Sequence, residues 1–421
     1  MSVILSHRDT CRLCSSPNVS LVVKLEPIPL SENYAEDSET SRRSDRFPVD
    51  VYMCRECGHV QQLDAIDSGS LWESYTYASG QAKGMPEHFS AVAKNILEKS
   101  KPQTDSLIVD IGSNDGSLLK PFKASGYRVL GIDPAQDVSR RANEAGIFTI
   151  QALMTPELSE SIRDEHGAAS VVCAFNVFAH ADDLGAMADS IRIMLAPDGL
   201  FFFEAQYLLD IIDGLLIASI FHEHISHHSV KPLVQFFDRH GLELIAVDRA
   251  RIQHGSMIGT VQLKGAGRPV DASVQAILDL EKERDLDQLE TMVSFARRVK
   301  GLRERCVSLL SKWKEDGHSI AAFGAARSGP TLIAQLGLQG FIDFIVDDHQ
   351  EKVGKYSPGD GIPILPTSEL AKKKPAYTII LAWVHSQKII EAHQAYLHSG
   401  GHFVSLCPET LVIGEHGVVK F

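Results

Sequence analysis

The stretch Val109-Asp110-Ile111-Gly112-Ser113-Asn114-Asp115-Gly116 decides the fold. The apolar run 107–111 that leads into it reads as a short buried strand. A glycine-bearing turn follows, and a periodic apolar segment starting at Leu118 reads as a helix. A second strand, 129–132, then closes at Asp133. Strand, glycine turn, helix and a second strand ending in an acid make half of a nucleotide-binding α/β unit.

The same alternation continues outward. A helix is expected over 85–98, a helix over 139–145, strands over 148–150 and 170–175, a helix over 184–195 and a strand over 200–204. Such an order means a mostly parallel, doubly wound sheet. Ligands sit at the carboxyl ends of its strands. The turn reads D-x-G-x-N-D-G, not the G-x-G-x-x-G dinucleotide fingerprint. It resembles the first motif of class I methyltransferases, which bind S-adenosylmethionine (SAM). On that reading Asp110 and the amides around Gly112 hold the amino-acid end of SAM, because glycine lets the backbone come close, and Asn114 and Asp115 are further cofactor-binding candidates. Asp133 would accept the ribose hydroxyls, and Asn176, ending the fourth strand, would lie near the methyl-bearing sulfur. The plainer alternatives are a turn-stabilising carboxylate at Asp110 and a helix cap at Asp133, before Pro134.

Length and composition bound the rest. A chain of 421 residues holds two or three domains. A net charge of −13 argues against general nucleic-acid or membrane-surface binding. No apolar run is long enough to span a bilayer. The first residues are too short and polar a stretch for a signal peptide, so the expected compartment is cytoplasmic, with reduced cysteines.

Four of the seven cysteines form two matched pairs, Cys11-x-x-Cys14 and Cys54-x-x-Cys57. Two such knuckles complete a tetrahedral, all-thiolate zinc site. With the shell closed, the metal is structural. The segment between the knuckles is rich in Pro and charge and is expected to bury little core of its own, so zinc would hold a module of residues 1–70 together. Next comes Leu71-Trp72-Glu73-Ser74-Tyr75-Thr76-Tyr77-Ala78-Ser79-Gly80. It is either a hydrophobic clasp between domains or a loop that brings a tyrosine hydroxyl to the active site.

Residues 71–265 form the expected SAM domain. Near its end stands Phe221-His222-Glu223-His224-Ile225-Ser226-His227-His228. His224 and His228 have the i,i+4 spacing of a metal-binding helix, but H-E-H is not H-E-x-x-H. The competing readings are an acid–base loop, with one His as proton acceptor and Glu223 orienting it, and a solvated polar loop.

Residues 266–421 carry two charged helices between 271 and 315, interrupted around 290–298, and then a second nucleotide-like unit. Strand 319–323 enters Gly324-Ala325-Ala326-Arg327-Ser328-Gly329, which opens a helix and could offer amides and the Arg327 charge to phosphate. Strand 344–346 ends in Asp347, as a ribose-binding acid would, and Trp383 and His385 follow a third buried strand. A degenerate domain used only as scaffold is the alternative.

Taken in order, the four-cysteine module, Asp110-Ile111-Gly112-Ser113-Asn114-Asp115-Gly116, Asn176-Val177-Phe178-Ala179-His180 and Phe221-His222-Glu223-His224-Ile225-Ser226 resemble the deoxysugar C-methyltransferases that methylate a nucleotide-linked 4-ketohexose at C3. The resemblance covers nearly the whole chain. It implies a zinc module, a class I SAM domain and a C-terminal Rossmann-like domain that helps hold the sugar nucleotide. It implies His224 as general base, with Glu223 beside it, Tyr75 on a loop approaching the sugar, and Asn176 and His180 flanking the reacting centre. Tyr77, Phe221, His222, Gly324, Arg327, Ser328, Asp347, Trp383 and His385 would contact the substrate. The family usually has a tyrosine where this chain has Phe221, so one hydroxyl is missing. The partner is then a nucleotide-linked ketosugar, with no nucleic acid or membrane, and the protein a monomer or weak homo-oligomer. Alternatives are SAM-dependent methylation at a sugar oxygen, nitrogen or C5, a nicotinamide-dependent sugar-nucleotide oxidoreductase, and a non-catalytic zinc and nucleotide-binding protein.

Overall fold

The computed structural model describes residues 3–72, 80, 84–250 and 252–421. Contacts divide the chain into two compact units. One comprises Met1–Ser20, Met53–Leu208 and Ile225–Gln288; the other comprises Leu21–Tyr52, Leu209–His224 and Leu289–Phe421.

The first unit is built on a seven-stranded sheet. Its strands are β1 (Leu107–Ile111), β2 (Arg128–Ile132), β3 (Thr149–Ile150), β4 (Ala169–Phe175), β5 (Leu195–Gln206), β6 (Leu242–Ala250) and β7 (Ser256–Leu263). Their spatial order is β3-β2-β1-β4-β5-β7-β6. β1 to β5 are parallel, and β7 runs antiparallel between β5 and β6. All five residues of β1 are buried, as a central strand covered on both faces must be. The order reverses at β1 and β4, so the crevice for a ligand opens there, beyond the carboxyl ends of those two strands. This is the class I SAM-methyltransferase sheet expected from the glycine turn.

The turn after β1 is tightly packed. Gly112 has φ +69, and a Cβ there would lie 2.3 Å from Val177 Cγ2. Its amide, with that of Ser113, donates to the Ile132 carbonyl (2.7 and 3.1 Å). Glycine at 112 thus answers to backbone geometry and to the neighbouring β4 loop at once.

The second unit carries its own seven-stranded sheet, with β8 (Ile320–Phe323), β9 (Phe344–Asp347), β10 (Ile364–Pro366), β11 (Tyr377–Ile380), β12 (His402–Ser405), β13 (Leu411–Gly414) and β14 (Gly417–Lys420) in the order β10-β9-β8-β11-β12-β13-β14. The first five strands are parallel and the last two antiparallel. This is a Rossmann-like order, with its switch point between β8 and β11. Gly324, just past β8, has φ +92, and a Cβ would meet the Ala382 Cβ at 2.4 Å.

Two expectations change. The segment between the zinc knuckles does bury core: Ile28, Val49 and Val51 are fully enclosed. It is tied to the helix Gly329–Gln335 of the second unit, through Glu26 and Gln335, which exchange two hydrogen bonds (2.9 and 2.7 Å). Residues 1–70 are therefore shared between the units and do not form one contact unit. The two long helices are Ala272–Glu283 and Leu289–Glu315, so the break falls before residues 290–298. Asp285, at φ +48, stops the first helix in a left-handed conformation. Among the described residues, no helix is long and apolar enough to cross a membrane.

Gly112→Ala should cost about 2–4 kcal/mol, from left-handed strain plus overpacking. Chemical denaturation measures it, and Val177→Ala in the same chain should recover part of the loss. Unchanged stability would show that the turn can relax.

Candidate active site

In the first unit the expected cofactor residues converge at the carboxyl ends of β1, β2 and β4. Asp133 Oδ2 accepts the Asn114 amide and Oδ1 the Ala135 amide, each at 2.9 Å. A carboxylate has about four lone-pair sites, so one remains on each oxygen for a diol. Burial raises the Asp133 pKa, and the two amides oppose that shift. Asp110 is also buried, and its carboxyl is held well above the usual range by burial and then by the charge of Asp133. Such a group favours a cationic neighbour. The buried Ser113 hydroxyl has no hydrogen-bond partner among the described residues. These features fit the amino-acid and ribose ends of SAM. Asp115 is more committed, accepting the Gly80 amide on Oδ2 (3.0 Å) and Ser117 on Oδ1.

Asn176 follows β4 with φ +58. Its amide donates to the Glu204 carbonyl (2.9 Å), and its Nδ2 lies 3.5 Å from Glu204 Oε1. Glu204, on β5, is fully buried and also accepts His88 Nε2 at 2.7 Å. Sequence reading passed over both Glu204 and His88. An acid closing the apolar run Leu200–Phe203 was the available signal for Glu204; His88, 116 residues away, offered none. His180 stacks on Trp72 with ring centroids 5.4 Å apart. Tyr75 and Tyr77 lie outside the described residues.

The zinc knuckles belong to this unit. The Sγ atoms of Cys11, Cys14, Cys54 and Cys57 all lie within 4.8 Å of one another. Cys11 and Cys57 are 3.6 Å apart, and Cys14 and Cys54 are 3.5 Å apart. Tetrahedral zinc at ~2.3 Å from each sulfur requires edges of ~3.8 Å, so the four thiols fit that ion. Each knuckle folds back alike. The amides of Ser15 and Gly58, each one residue past the second cysteine, donate to the carbonyls of Cys11 and Cys54 (2.8 and 3.0 Å), and both residues have positive φ. No other group of three or more metal-ligating side chains occurs among the described residues, which leaves the histidine-rich loop without a metal cluster.

That loop is not solvated. Phe221, His222 and Glu223 are buried, as are 225–229, and His224 is partly buried. The contact division falls after His224. In the second unit, His224 Nδ1–H donates to the Ser219 carbonyl at 2.8 Å. A carbonyl can only accept, so in the neutral ring Nε2 is the basic nitrogen. Burial first, with the Arg327 charge also contributing, lowers the His224 pKa to about 4. Phe221 packs on this ring, centroids 4.2 Å apart. Ser219, not Glu223, orients His224. Glu223 instead accepts both its close contacts from Arg327 Nη1 (2.6 and 2.5 Å). Thr331 Oγ1 donates to the Ile220 carbonyl (3.2 Å), fixing the loop to the helix Gly329–Gln335.

Arg327 therefore does not stand free for phosphate, because its Nε also lies 3.4 Å from Glu32. Lys352 donates to the Ala325 carbonyl (2.9 Å) and reaches Glu32 at 4.0 Å. The amides of Gly324 and Ala325 are bound to the Val346 carbonyl and to Asp347 Oδ2. Asp347 Oδ1 accepts His349 N (2.7 Å), so both its oxygens serve the turn. Trp383 Nε1 donates to Ser328 (3.2 Å), and His385 ends the same 3-10 turn. His222 Nε2–H donates to the Phe47 carbonyl (3.3 Å), and its buried Nδ1 has no partner among the described residues.

Three family models match the chain in succession. A zinc binding domain covers residues 11–72, a methyltransferase domain covers 85–247, and a C-methyltransferase C-terminal domain covers 251–408. C-methyltransferase NovU of Streptomyces niveus is 32% identical over 420 residues, 100% of each chain. The chain belongs to the C-methyltransferase family. It is a SAM-dependent methyltransferase, and its four-cysteine cluster is a structural zinc site. A ubiquinone biosynthesis O-methyltransferase of Paramagnetospirillum magneticum is 29% identical over 121 residues, covering 28% of this chain and 47% of that one. Among solved structures, a magnesium protoporphyrin IX methyltransferase of Synechocystis with bound SAH covers 42% of this chain and 83% of its own, at 15% identity and a TM-score of 0.34.

Cys14→Ser should lose zinc, measured by elemental analysis, and lower the melting temperature by several degrees; full retention of metal would refute the ligand set. Burial lowers the pKa of His222 and of His228 to about 4. Both stay neutral in the folded chain while the unfolded chain protonates near pH 6.5. Stability should then be complete above that pH and fall as pH drops toward 4, by on the order of 3 kcal/mol per histidine. Denaturant titrations of His222→Gln against the parent at pH 7 and pH 4.5 test the slope.

Proposed function

We propose that this C-methyltransferase methylates a nucleotide-linked 4-keto-deoxysugar at C3. The observation that carries the reading is the Ser219–His224 hydrogen bond. Burial keeps the ring neutral, and the bond to Ser219 leaves Nε2 as the acceptor, which is what removal of a proton from carbon requires. Methylation of a sugar oxygen or nitrogen needs no carbon acid, so a buried, pre-oriented base favours carbon. A ketone next to the reacting carbon makes that proton acidic, since its loss gives an enolate.

SAM, when bound, supplies an electrophilic methyl group on a sulfonium. Asp133 would hold its ribose, Asp110 its ammonium, and Gly112, Asn114 and Asp115 the turn around it. Asn176 and His180, and Tyr75, would orient the acceptor and support the negative charge that develops on the ketone oxygen. His224 Nε2 takes the proton from C3. Positive charge on the imidazole is then shared with the Ser219 carbonyl through Nδ1–H. Glu223, paired with Arg327, would place its oxygens toward the sugar without taking the proton itself. Phe221 supplies an apolar wall against the His224 ring.

The second Rossmann-like sheet supports a nucleotide as the handle of the acceptor. Ser328, Trp383 and His385 at its switch point, with Tyr77 and His222, would make those contacts. Gly324 and Asp347 would shape the turn rather than touch the ligand, given that their polar groups are already used. A cytoplasmic location agrees with zinc thiolates and a soluble activated sugar.

His224→Asn should keep SAM affinity, measured by calorimetry, while kcat falls about 10²–10⁴-fold. With a dTDP- or GDP-linked 4-ketosugar in deuterium oxide, the parent should exchange the C3 proton and the variant should not. Full turnover in the variant, or exchange that persists without His224, would remove it as the base.

A further inference from the structure

Arg12 lies between two zinc ligands of the first knuckle, Cys11 and Cys14, yet its side chain points away from the cluster. It is fully buried. Its Nε donates to Asp182 Oδ1 at 3.0 Å, and its Nη2 lies 2.9 Å from the same oxygen. Its Nη1 donates to the Gln61 side chain (3.3 Å) and to the Gln62 carbonyl, both on the strand that follows the second knuckle. Its own amide donates to Gln61 Oε1 at 3.0 Å. One guanidinium therefore joins both knuckles to Asp182, 170 residues away.

Asp182 ends the loop that begins at Asn176 and carries His180. The rest of that loop is held from the same side. The strand Val60–Gln62 pairs with Ser226–His227, and the Ser226 amide donates to the Ala179 carbonyl (3.1 Å). His228 Nε2–H donates to the Phe178 carbonyl (3.3 Å), and its ring stacks on His59, two residues past Cys57. Arg8 Nη1 donates to the Asp182 carbonyl (2.8 Å). On the outer side, Trp72 covers His180.

We propose that Arg12 is a positioning residue that transmits the geometry of the four-cysteine cluster to the loop 176–182 and so sets where Asn176 and His180 stand. The zinc module then does more than fold itself: it fixes one wall of the methyl-acceptor site. Arg12 touches no reacting atom, so its effect falls on turnover and not on the cofactor. The proposal rests on the reading that Asn176 and His180 flank the reacting centre.

The test uses the full-length zinc-loaded protein with Arg12→Met, Asp182→Asn, the double variant and Arg12→Lys. Asp182 is about half exposed, so Asp182→Asn leaves the core undisturbed. We expect kcat to fall about 10-fold or more in each of the first two, with no further loss in the double variant and partial recovery in Arg12→Lys. Zinc content and KM for SAM should match the parent. Tryptophan emission should change in Arg12→Met, and that change should vanish in a Trp72→Phe background. Unaltered Trp72 emission, additive losses, or zinc lost in step with activity would each overturn the proposal. Full turnover in His180→Ala would instead strike the reading of the site on which it rests.

Discussion

A central parallel strand can leave no backbone amide unpaired, and both sheets grow outward from one such strand. Leu107–Ile111 in the first unit and Ile320–Phe323 in the second are buried along their whole length. Each has a parallel neighbour on both sides. Once those pairings are made, the chain must leave each strand through a turn at the sheet's crevice, where the two neighbours diverge. Gly112 and Gly324 are the residues that allow that exit. The candidate residues Asp110, Asn114 and Asp133 lie by the first of these turns, and Ser328 and Trp383 by the second.

Buried charge is handled differently in the two crevices. Near Gly112, burial pushes the pKa of both Asp110 and Asp133 up; the charge of Asp133 adds to the shift at Asp110, and two backbone amides oppose it at Asp133. That environment suits a ligand carrying positive charge. Past Gly324, Glu32, Glu223, Arg327 and Lys352 are already matched among themselves. A ligand there exchanges partners with an existing network, which makes shape and aromatic contact more decisive than raw charge.

What the sequence makes legible is local. Leu107–Ile111 announces itself by being apolar throughout, and the cysteine pairs by their spacing. The methyltransferase sheet and the zinc site were both readable on those grounds. The histidine-rich composition of 222–228 was legible, but the carbonyl that accepts His224 Nδ1–H was not. Ser219 offers a backbone carbonyl, which carries no residue-specific mark. Glu204 with His88, Arg12 with Asp182, and Glu223 with Arg327 join residues 116, 170 and 104 positions apart. No periodicity encodes such pairs, since they exist only once the sheets have formed. Arg327 looked like a phosphate ligand for the same reason: its two carboxylate partners are remote in sequence.

The interleaved composition of the two units bears on how the chain is made. The first unit has its last residue at Gln288, so all of it can emerge and fold before synthesis ends. Leu21–Tyr52 and Leu209–His224 belong with residues after Leu289. Ile28 and Val49, which end with no exposed surface, are translated long before Leu289–Phe421, the segment with which theirs is grouped. At 5–20 residues per second, that delay lasts roughly tens of seconds. A newborn chain therefore carries an apolar segment whose later-made companions do not yet exist, and its yield in a cell depends on what keeps that segment from finding another partner first.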